Sequence, residues 1–470
     1  MKKIFTLFAV LSMIILSSCS KETLYNDYVQ LSRISYTFDY NDETELEITV
    51  TTNNNAAWQV SAEKGEWLIY STDADRLIVK ATDNETAQER TAVLTVTSGD
   101  AKAEILLNQM PYGFYGNYMD TPPTSLGGYS RNGQYLGYVN PYRNDKKELI
   151  YECRVINTET MEEVKYEVPD VISDNGTNTN IPYDEIHCIS NDGRTIMFFH
   201  GMQARSLIRK DGKEVKMTLP EGYNTPRPEF FNADASVVVG YCKTADKDRM
   251  TVPVVWRDGK AEFPEIPEFL QDGTPMPRQG VIPRGCSDDG SVIYGSEWKH
   301  YGLIYWKNGK MVDIGAKYAE VEKEGKITTV KTIQTTATYR NISPNGKFIA
   351  CAYNATGGNS VGATFYPVVV NTETGEATIY KEYTGFIGIH AMNDGTIFVQ
   401  QQAASSGYSV IDYKTSKLKN LTEWTAERYG INLPDTRFVE WITSDETVIF
   451  GKRYYYSGMG TLKPTWFLRR

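Results

Sequence analysis

The sequence predicts an all-β protein: an N-terminal immunoglobulin-like β-sandwich followed by a β-propeller of seven blades. Three observations point there. Residues 32–110 hold short runs of strict apolar–polar alternation separated by turn clusters. From about residue 126 onward, one turn followed by one apolar run recurs seven times. The composition, 41% hydrophobic and 23% charged over 470 residues, is that of a folded chain with room for more than one domain.

The chain opens with an address. Lys2 and Lys3 precede the apolar stretch Ile4 to Leu16, about a dozen residues and too short for a bilayer span of roughly 20. Leu16-Ser17-Ser18-Cys19 closes it and resembles a bacterial lipobox, which implies removal of residues 1–18 and acylation of Cys19. Two or three acyl chains there give a stable membrane anchor where one does not. Residues 19–31 then form the lipidated Cys and a polar tether. The expected location is the cell envelope, as an outer-membrane lipoprotein, with the surface and periplasmic faces both open.

In the sandwich, Leu46-Glu47-Ile48-Thr49-Val50 and Ala92-Val93-Leu94-Thr95-Val96 alternate with period two, and Asn53-Asn54-Asn55 and Ser98-Gly99-Asp100 are turn clusters. About eighty residues of such strands suit an immunoglobulin-like fold. Trp58-Gln59-Val60, Glu66-Trp67-Leu68, Leu77-Ile78-Val79 with Asn84, Arg90 leading into Thr91 to Val96, and Ile105-Leu106-Leu107-Asn108-Gln109 follow one another in an order that resembles the BACON domain. That resemblance implies a Bacteroidetes-type protein in the company of glycan degradation, with the domain either binding carbohydrate or spacing the next domain from the membrane. Trp58 and Trp67 sit inside apolar alternation and are read first as core packing, with sugar stacking as the other reading.

Residues 111–125 read as a linker feeding a closing strand, and 126–470 as the propeller. The repeated turns are Ser130-Arg131-Asn132-Gly133, Ser190-Asn191-Asp192-Gly193, Asn232-Ala233-Asp234-Ala235, Ser287-Asp288-Asp289-Gly290, Ser343-Pro344-Asn345-Gly346, Met392-Asn393-Asp394-Gly395 and Thr443-Ser444-Asp445-Glu446. Asp-Gly and Asn-Gly supply the positive-φ positions of a tight hairpin, and a hydroxyl at the first place can bond back to the turn. Each turn precedes an apolar run such as Ile196-Met197-Phe198-Phe199 or Val292-Ile293-Tyr294-Gly295, read as a strand buried on both faces. Second hairpins follow at Lys210-Asp211-Gly212, Arg257-Asp258-Gly259, Lys307-Asn308-Gly309 and Thr372-Glu373-Thr374-Gly375. The turns lie between 42 residues (Ser190 to Asn232) and 60 residues (Ser130 to Ser190) apart, the size of a four-stranded blade. Six or eight blades are the alternatives. The turn resembles those of WD-like and TolB-like propellers, which share it across many functions.

Function classes narrow by exclusion. A net charge of −10 argues against nucleic acid as a partner. Four histidines, and cysteines at 153, 188, 242, 286 and 351 without C-x-x-C spacing, support neither a metal centre nor a disulfide framework. Asp288-Asp289 and Asp246-x-Asp248 lack the remainder of a calcium loop. No nucleophile elbow, P-loop or dinucleotide fingerprint occurs, and no cofactor is expected.

A propeller binds where the loops entering its innermost strands converge. Two or three residues before six of the seven turns stand His187, Glu229, Arg284, Arg340, Asn341, His390, Glu440 and Trp441. As a ligand site, the arginines take a carboxylate or sulfate, the glutamates hydroxyls, and Trp441 a ring. The alternative is a wet channel of mutually satisfied Arg–Glu pairs. As an active site, Glu229 and Glu440 form an acid–base pair, or His187 and His390 exchange protons. The leading expectation is non-catalytic glycan binding within a polysaccharide-utilisation system. A protein-interaction scaffold of an outer-membrane complex and a polysaccharide lyase or hydrolase are the alternatives. Thirty-two tyrosines, clustered at Tyr112, Tyr115, Tyr118 and at Tyr454 to Tyr456, are further contact candidates.

Overall fold

A computed structural model describes residues 28–41, 44–53, 56–86, 89–110, 117–120, 127–143, 146, 148–172, 177–201, 205–277, 280–325, 327–336, 340–357, 363–401, 408–430, 437–453, 455–457, 460–462 and 465–470. The leader, Cys19, Tyr112, Tyr115 and Tyr454 lie outside them.

The sandwich has two four-stranded sheets. One runs Val29–Leu31, Leu46–Thr52, Arg76–Ala81, Leu68–Asp73 in spatial order; the other runs Ser35–Phe38, Ala101–Gln109, Arg90–Ser98, Gln59–Glu63. Leu46–Thr52 buries every second residue, so Leu46, Ile48, Val50 and Thr52 face the core while the residues between them face solvent. The first strand starts at Val29, inside the stretch read as tether, because three residues are too few to show a period.

Among the described residues, beside two further two-stranded hairpins, seven antiparallel sheets of four or five strands follow. Their innermost strands are Gly127–Tyr129, Glu185–Ile189, Tyr223–Phe231, Val281–Cys286, Ile327–Gln334 with the bridge at Ile342, Phe386–Ala391 and Arg437–Ile442. We number these blades 1 to 7. Blade 7 is closed from the N-terminal side, since Asn117–Asp120 pairs with Thr465–Arg469 as its outermost strand. Strands from both ends of the domain thus share one blade and close the ring. Met110, at the end of the sandwich, is buried in one apolar cluster with Trp466 and Leu468 of that blade.

The turn chemistry repeats atom for atom. Ser190 Oγ donates to Asp192 Oδ1 (2.5 Å) and accepts from Thr195 N–H (2.9 Å), and Asp192 Oδ1 accepts from Arg194 N–H (3.0 Å). Ser287 with Asp289, Ser343 with Asn345 and Thr443 with Asp445 do the same. The fourth turn residue is left-handed even where it is not glycine: Ala235 has φ 59° and Glu446 φ 59°. Residues just after the hydroxyl position then link blade to blade. Asn191 N–H donates to Ala233 O (2.7 Å), Ala233 N–H to Asp288 O (3.1 Å) and Asp288 N–H to Pro344 O (2.9 Å). Asn345 N–H donates to Asn393 Oδ1 (2.9 Å), and Asn393 Nδ2 to Ser444 Oγ (2.7 Å). The five cysteines among the described residues are free and buried within the blades.

Two helices among the described residues have no counterpart in the strand pattern, the single turn Ile314–Lys317 and a longer one in blade 6. Leu421–Tyr429 is a helix capped by Asn420, whose side chain accepts from Glu423 N–H, and ended by left-handed Gly430. It buries Trp424 against the outer strands of blade 6 and the core of blade 7.

Candidate functional site at the channel mouth

Five inner strands carry a β-bulge at the same place. Pairing skips one residue between Ile186 and Cys188, Pro228 and Phe230, Pro283 and Gly285, Gly388 and His390, and Val439 and Trp441. The skipped residues are His187, Glu229, Arg284, Ile389 and Glu440, each three positions before the turn. A bulge frees its extra residue from the ladder and re-aims the side chain. Blade 5 places Arg340 at the equivalent position.

This geometry divides the sequence candidates. Those three before the turn include the groups that reach across the axis. Those two before it, Asn341, His390 and Trp441, are packed between blades, each 1% exposed. Asn341 Nδ2 donates to Ala350 O (2.8 Å) and Thr336 Oγ1 (2.5 Å). His390 Nδ1 lies 2.9 Å from Arg340 O, and burial lowers its pKa to about 4, so it is neutral. Trp441 Nε1 donates to Arg131 O (3.1 Å), and its ring lies 5.1 Å from that of His390. The stacking expected of Trp441, the proton exchange expected of His390 and a ligand role for Asn341 are therefore corrected: these side chains are enclosed.

Arg340 of blade 5 bonds Glu440 of blade 7, donates to His187 O of blade 2 (3.2 Å) and lies 3.9 Å from the ring centroid of Tyr129 in blade 1. Contacts among blades that are not neighbours run across the channel. Lys452 Nζ adds a second cation at 3.0 Å from Glu440. Burial pushes Glu440 up, but Arg340 and Lys452 outweigh it and hold the carboxyl below its ordinary value. This half of the mouth is a charge-matched ion cluster, the bland alternative of the sequence reading. At the turn end, Arg131 of blade 1 fills the axis against Asp288 of blade 4.

The other half differs. Glu229 and Arg284, on adjacent blades 3 and 4, are half-buried, and neither side chain has a hydrogen bond or ion pair among the described residues. Burial raises Glu229 to about 7, against the pull of the Arg284 charge. Beside them His187 stacks on Phe199 at 4.0 Å, and burial together with Arg340 lowers its pKa to about 3. The mouth thus presents a guanidinium without a direct bond among the described residues, a carboxyl poised between forms and a neutral imidazole.

The sandwich candidates resolve differently. Trp67 is 6% exposed, with Arg90 over its face at 5.2 Å and Phe38 against it at 6.3 Å and 87°. Arg90 bonds Gln109 Oε1 and Thr82 O, while Gln109 Nε2 donates to Asp39 O (3.1 Å), Tyr40 O (3.1 Å) and Thr82 O (2.9 Å). Buried Asn84 donates to Met110 O (2.9 Å). Trp67, Asn84, Arg90 and Gln109 tie the end of the sandwich together, and Trp67 takes the core-packing role rather than the platform one. Trp58 is half-buried against the same core.

The BACON family, described as "Putative binding domain, N-terminal", matches residues 56–110. No curated protein sequence matches the chain. Among solved structures the chain is similar to an oligogalacturonate lyase from Vibrio parahaemolyticus (TM-score 0.43, 12% identity, 75% of this chain and 97% of that one). It is also similar to the β-propeller domain of the Trilobed protease from Pyrococcus furiosus, which has an open velcro topology (0.37, 10%, 84% and 98%). A third is TolB from Acinetobacter baumannii (0.28, 12%, 68% and 75%). Residues 56–110 are thus the part of the sandwich that matches the BACON family, and the propeller and its blade count stand on the sheet order itself.

Proposed function

We propose that the protein is a lipid-anchored component of the cell envelope that binds an acidic glycan, without cleaving it, at the entry-side mouth of the propeller channel. One observation carries the reading. Arg284 and Glu229 lie at bulge positions without a hydrogen bond or ion pair among the described residues, whereas the equivalent Arg340 and Glu440 pair with each other. A half-buried guanidinium gains a charge-assisted bidentate bond from a carboxylate. A carboxyl near 7 can donate to or accept from a sugar hydroxyl. The anchor at Cys19 and a place in polysaccharide utilisation belong to the same proposal, supported by the lipobox-like run and the BACON match. Affinity electrophoresis through gels containing an acidic or a neutral polysaccharide tests it: retardation in the acidic gel alone, lost in Arg284→Gln, is the expected outcome.

A second reading has one observation in its favour. A carboxyl raised to about 7 is suited to general acid catalysis, which would make the mouth a lyase or hydrolase site. The partner such chemistry asks of Glu440 is engaged by Arg340 and Lys452. Release of shorter products from the retained polymer, abolished in Glu229→Gln, would establish this reading instead.

A further inference from the structure

Of the eight tryptophans, Trp298 alone is exposed, at 46%. It stands on the loop between the second and third strands of blade 4, Val292–Glu297 and Leu303–Lys307. That loop lies at the face where Val281–Cys286 enters: Val281 pairs with Glu297, and Trp298 N–H donates to Gly280 O at 3.2 Å. Three residues of strand, about 10 Å, separate Val281 from Arg284.

The loop is held from several sides. Fully buried Glu297 accepts from the N–H groups of Lys299 (2.5 Å), His300 (2.6 Å) and Gly302 (3.0 Å). Lys299 Nζ and His300 Nε2 meet Asp272 Oδ2 at 2.7 Å and 3.4 Å. Gln334 Nε2 donates to His300 O (2.6 Å), and Thr335 N–H to Tyr301 O (3.0 Å). Tyr301 is left-handed at φ 57°, with its ring 6.4 Å from that of Trp298. The equivalent loop of blade 3 shows what the turn itself needs. There Asp246 Oδ1 accepts from Asp248 and Arg249 N–H (both 3.0 Å) and Arg249 is left-handed at φ 47°, yet the loop Ala245 to Arg249 holds no aromatic residue. The backbone device is common to both loops, and the indole on it is an addition.

We propose that Trp298, flanked by Tyr301, is an outer stacking platform for a second sugar ring of the glycan whose carboxylate is held at Arg284. The proposal rests on the channel-mouth reading above and extends it from one subsite to two along blade 4. A rigid ring on a pre-organised loop binds without an ordering cost, and the apolar face of a pyranose packs on it. Lys299 on the same loop is paired with Asp272 Oδ2 at 2.7 Å, so the platform offers a ring face and leaves the acidic group of the chain to Arg284.

The test uses the full-length protein with galacturonate and tetragalacturonide as probes. Trp298→Ala should bind the monosaccharide as the wild type does and the tetrasaccharide about tenfold more weakly. Because Trp298 is the exposed indole, the tetrasaccharide but not the monosaccharide should shield wild-type fluorescence from iodide quenching. Equal tetrasaccharide affinity in Trp298→Ala, or unshielded fluorescence in the saturated complex, would overturn the platform while leaving the Arg284 subsite standing. Failure of the wild type to bind either sugar would overturn both. Loss of a co-purifying envelope protein from Trp298→Ala, with sugar binding intact, would make Trp298 a protein contact and overturn the proposal.

Discussion

Arg131 of blade 1 spans the propeller axis to Asp288 of blade 4, with Nη1 at 2.8 Å from Oδ1 and Nη2 donating to Cys286 O at 2.6 Å. Its guanidinium also lies 4.8 Å from the ring of Phe230 and 5.0 Å from that of Trp441, so one side chain engages blades 3, 4 and 7 from blade 1. Arg131 is 5% exposed. Removing one partner of a buried pair leaves the other charged and unmatched.

Arg131→Ala should therefore destabilise the propeller by about 3 kcal/mol. Urea unfolding followed by tryptophan fluorescence measures it, and a midpoint equal to that of the wild type would show that the axis is held by the blade-to-blade backbone bonds alone.

Ala235 occupies the left-handed turn position that glycine takes in five other blades. Ala235→Gly relieves the Cβ–carbonyl crowding of that conformation and should stabilise by about 0.5–1 kcal/mol after the entropy of the unfolded glycine is counted. Glu446 is at the same φ but pairs with Arg428, so Glu446→Gly should not gain. Thermal melts of the two variants separate these effects.

Glu229 and His187 respond to pH with opposite sign. Burial raises Glu229 to about 7, above its unfolded value, so the folded state binds the extra proton and stability from this group falls as pH rises toward 7. Burial lowers His187 to about 3, so its contribution is lost as pH falls from about 6.5 toward 3. Relative to wild type, Glu229→Gln should gain stability as pH rises from 5 to 7.5, and His187→Gln should gain it as pH falls below 6. Tm measured across that range in matched buffers checks both signs.

Gln109 ties three backbone carbonyls and Arg90 at one end of the sandwich. Gln109→Ala leaves these buried groups unmatched and should cost about 2–3 kcal/mol. Unfolding monitored by amide exchange of residues 28–110 locates the loss in the sandwich.

Much of this was legible in the sequence because turn chemistry is local. Ser-x-Asp-Gly sets a hairpin through bonds within six residues, and seven such turns count seven blades. The mouth was only half legible. Position three before the turn marks His187, Glu229, Arg284, Arg340 and Glu440, but the pleat reverses direction at the next residue, and one residue of slip put Asn341, His390 and Trp441 in the same ring. Which arginine is satisfied depends on Glu440 and Lys452 meeting Arg340 across the axis, a contact between positions 100 or more residues apart that no spacing encodes. Trp298 was missed because it follows a buried strand without periodicity of its own; polar neighbours on both sides, Glu297 and Lys299, were its one signal. Trp67 was read through its resemblance, and the arginine that covers its face lies 23 positions on, at Arg90.

The central claim is that unmatched Arg284 holds a carboxylate of the ligand. Isothermal titration of tetragalacturonide into the wild type and Arg284→Gln, with the sugar recovered and sized afterwards, tests it most directly. The account predicts saturable binding by the wild type, at least tenfold weaker binding by the variant from loss of one charge-assisted pair, and intact sugar. Equal binding by the two proteins would contradict it.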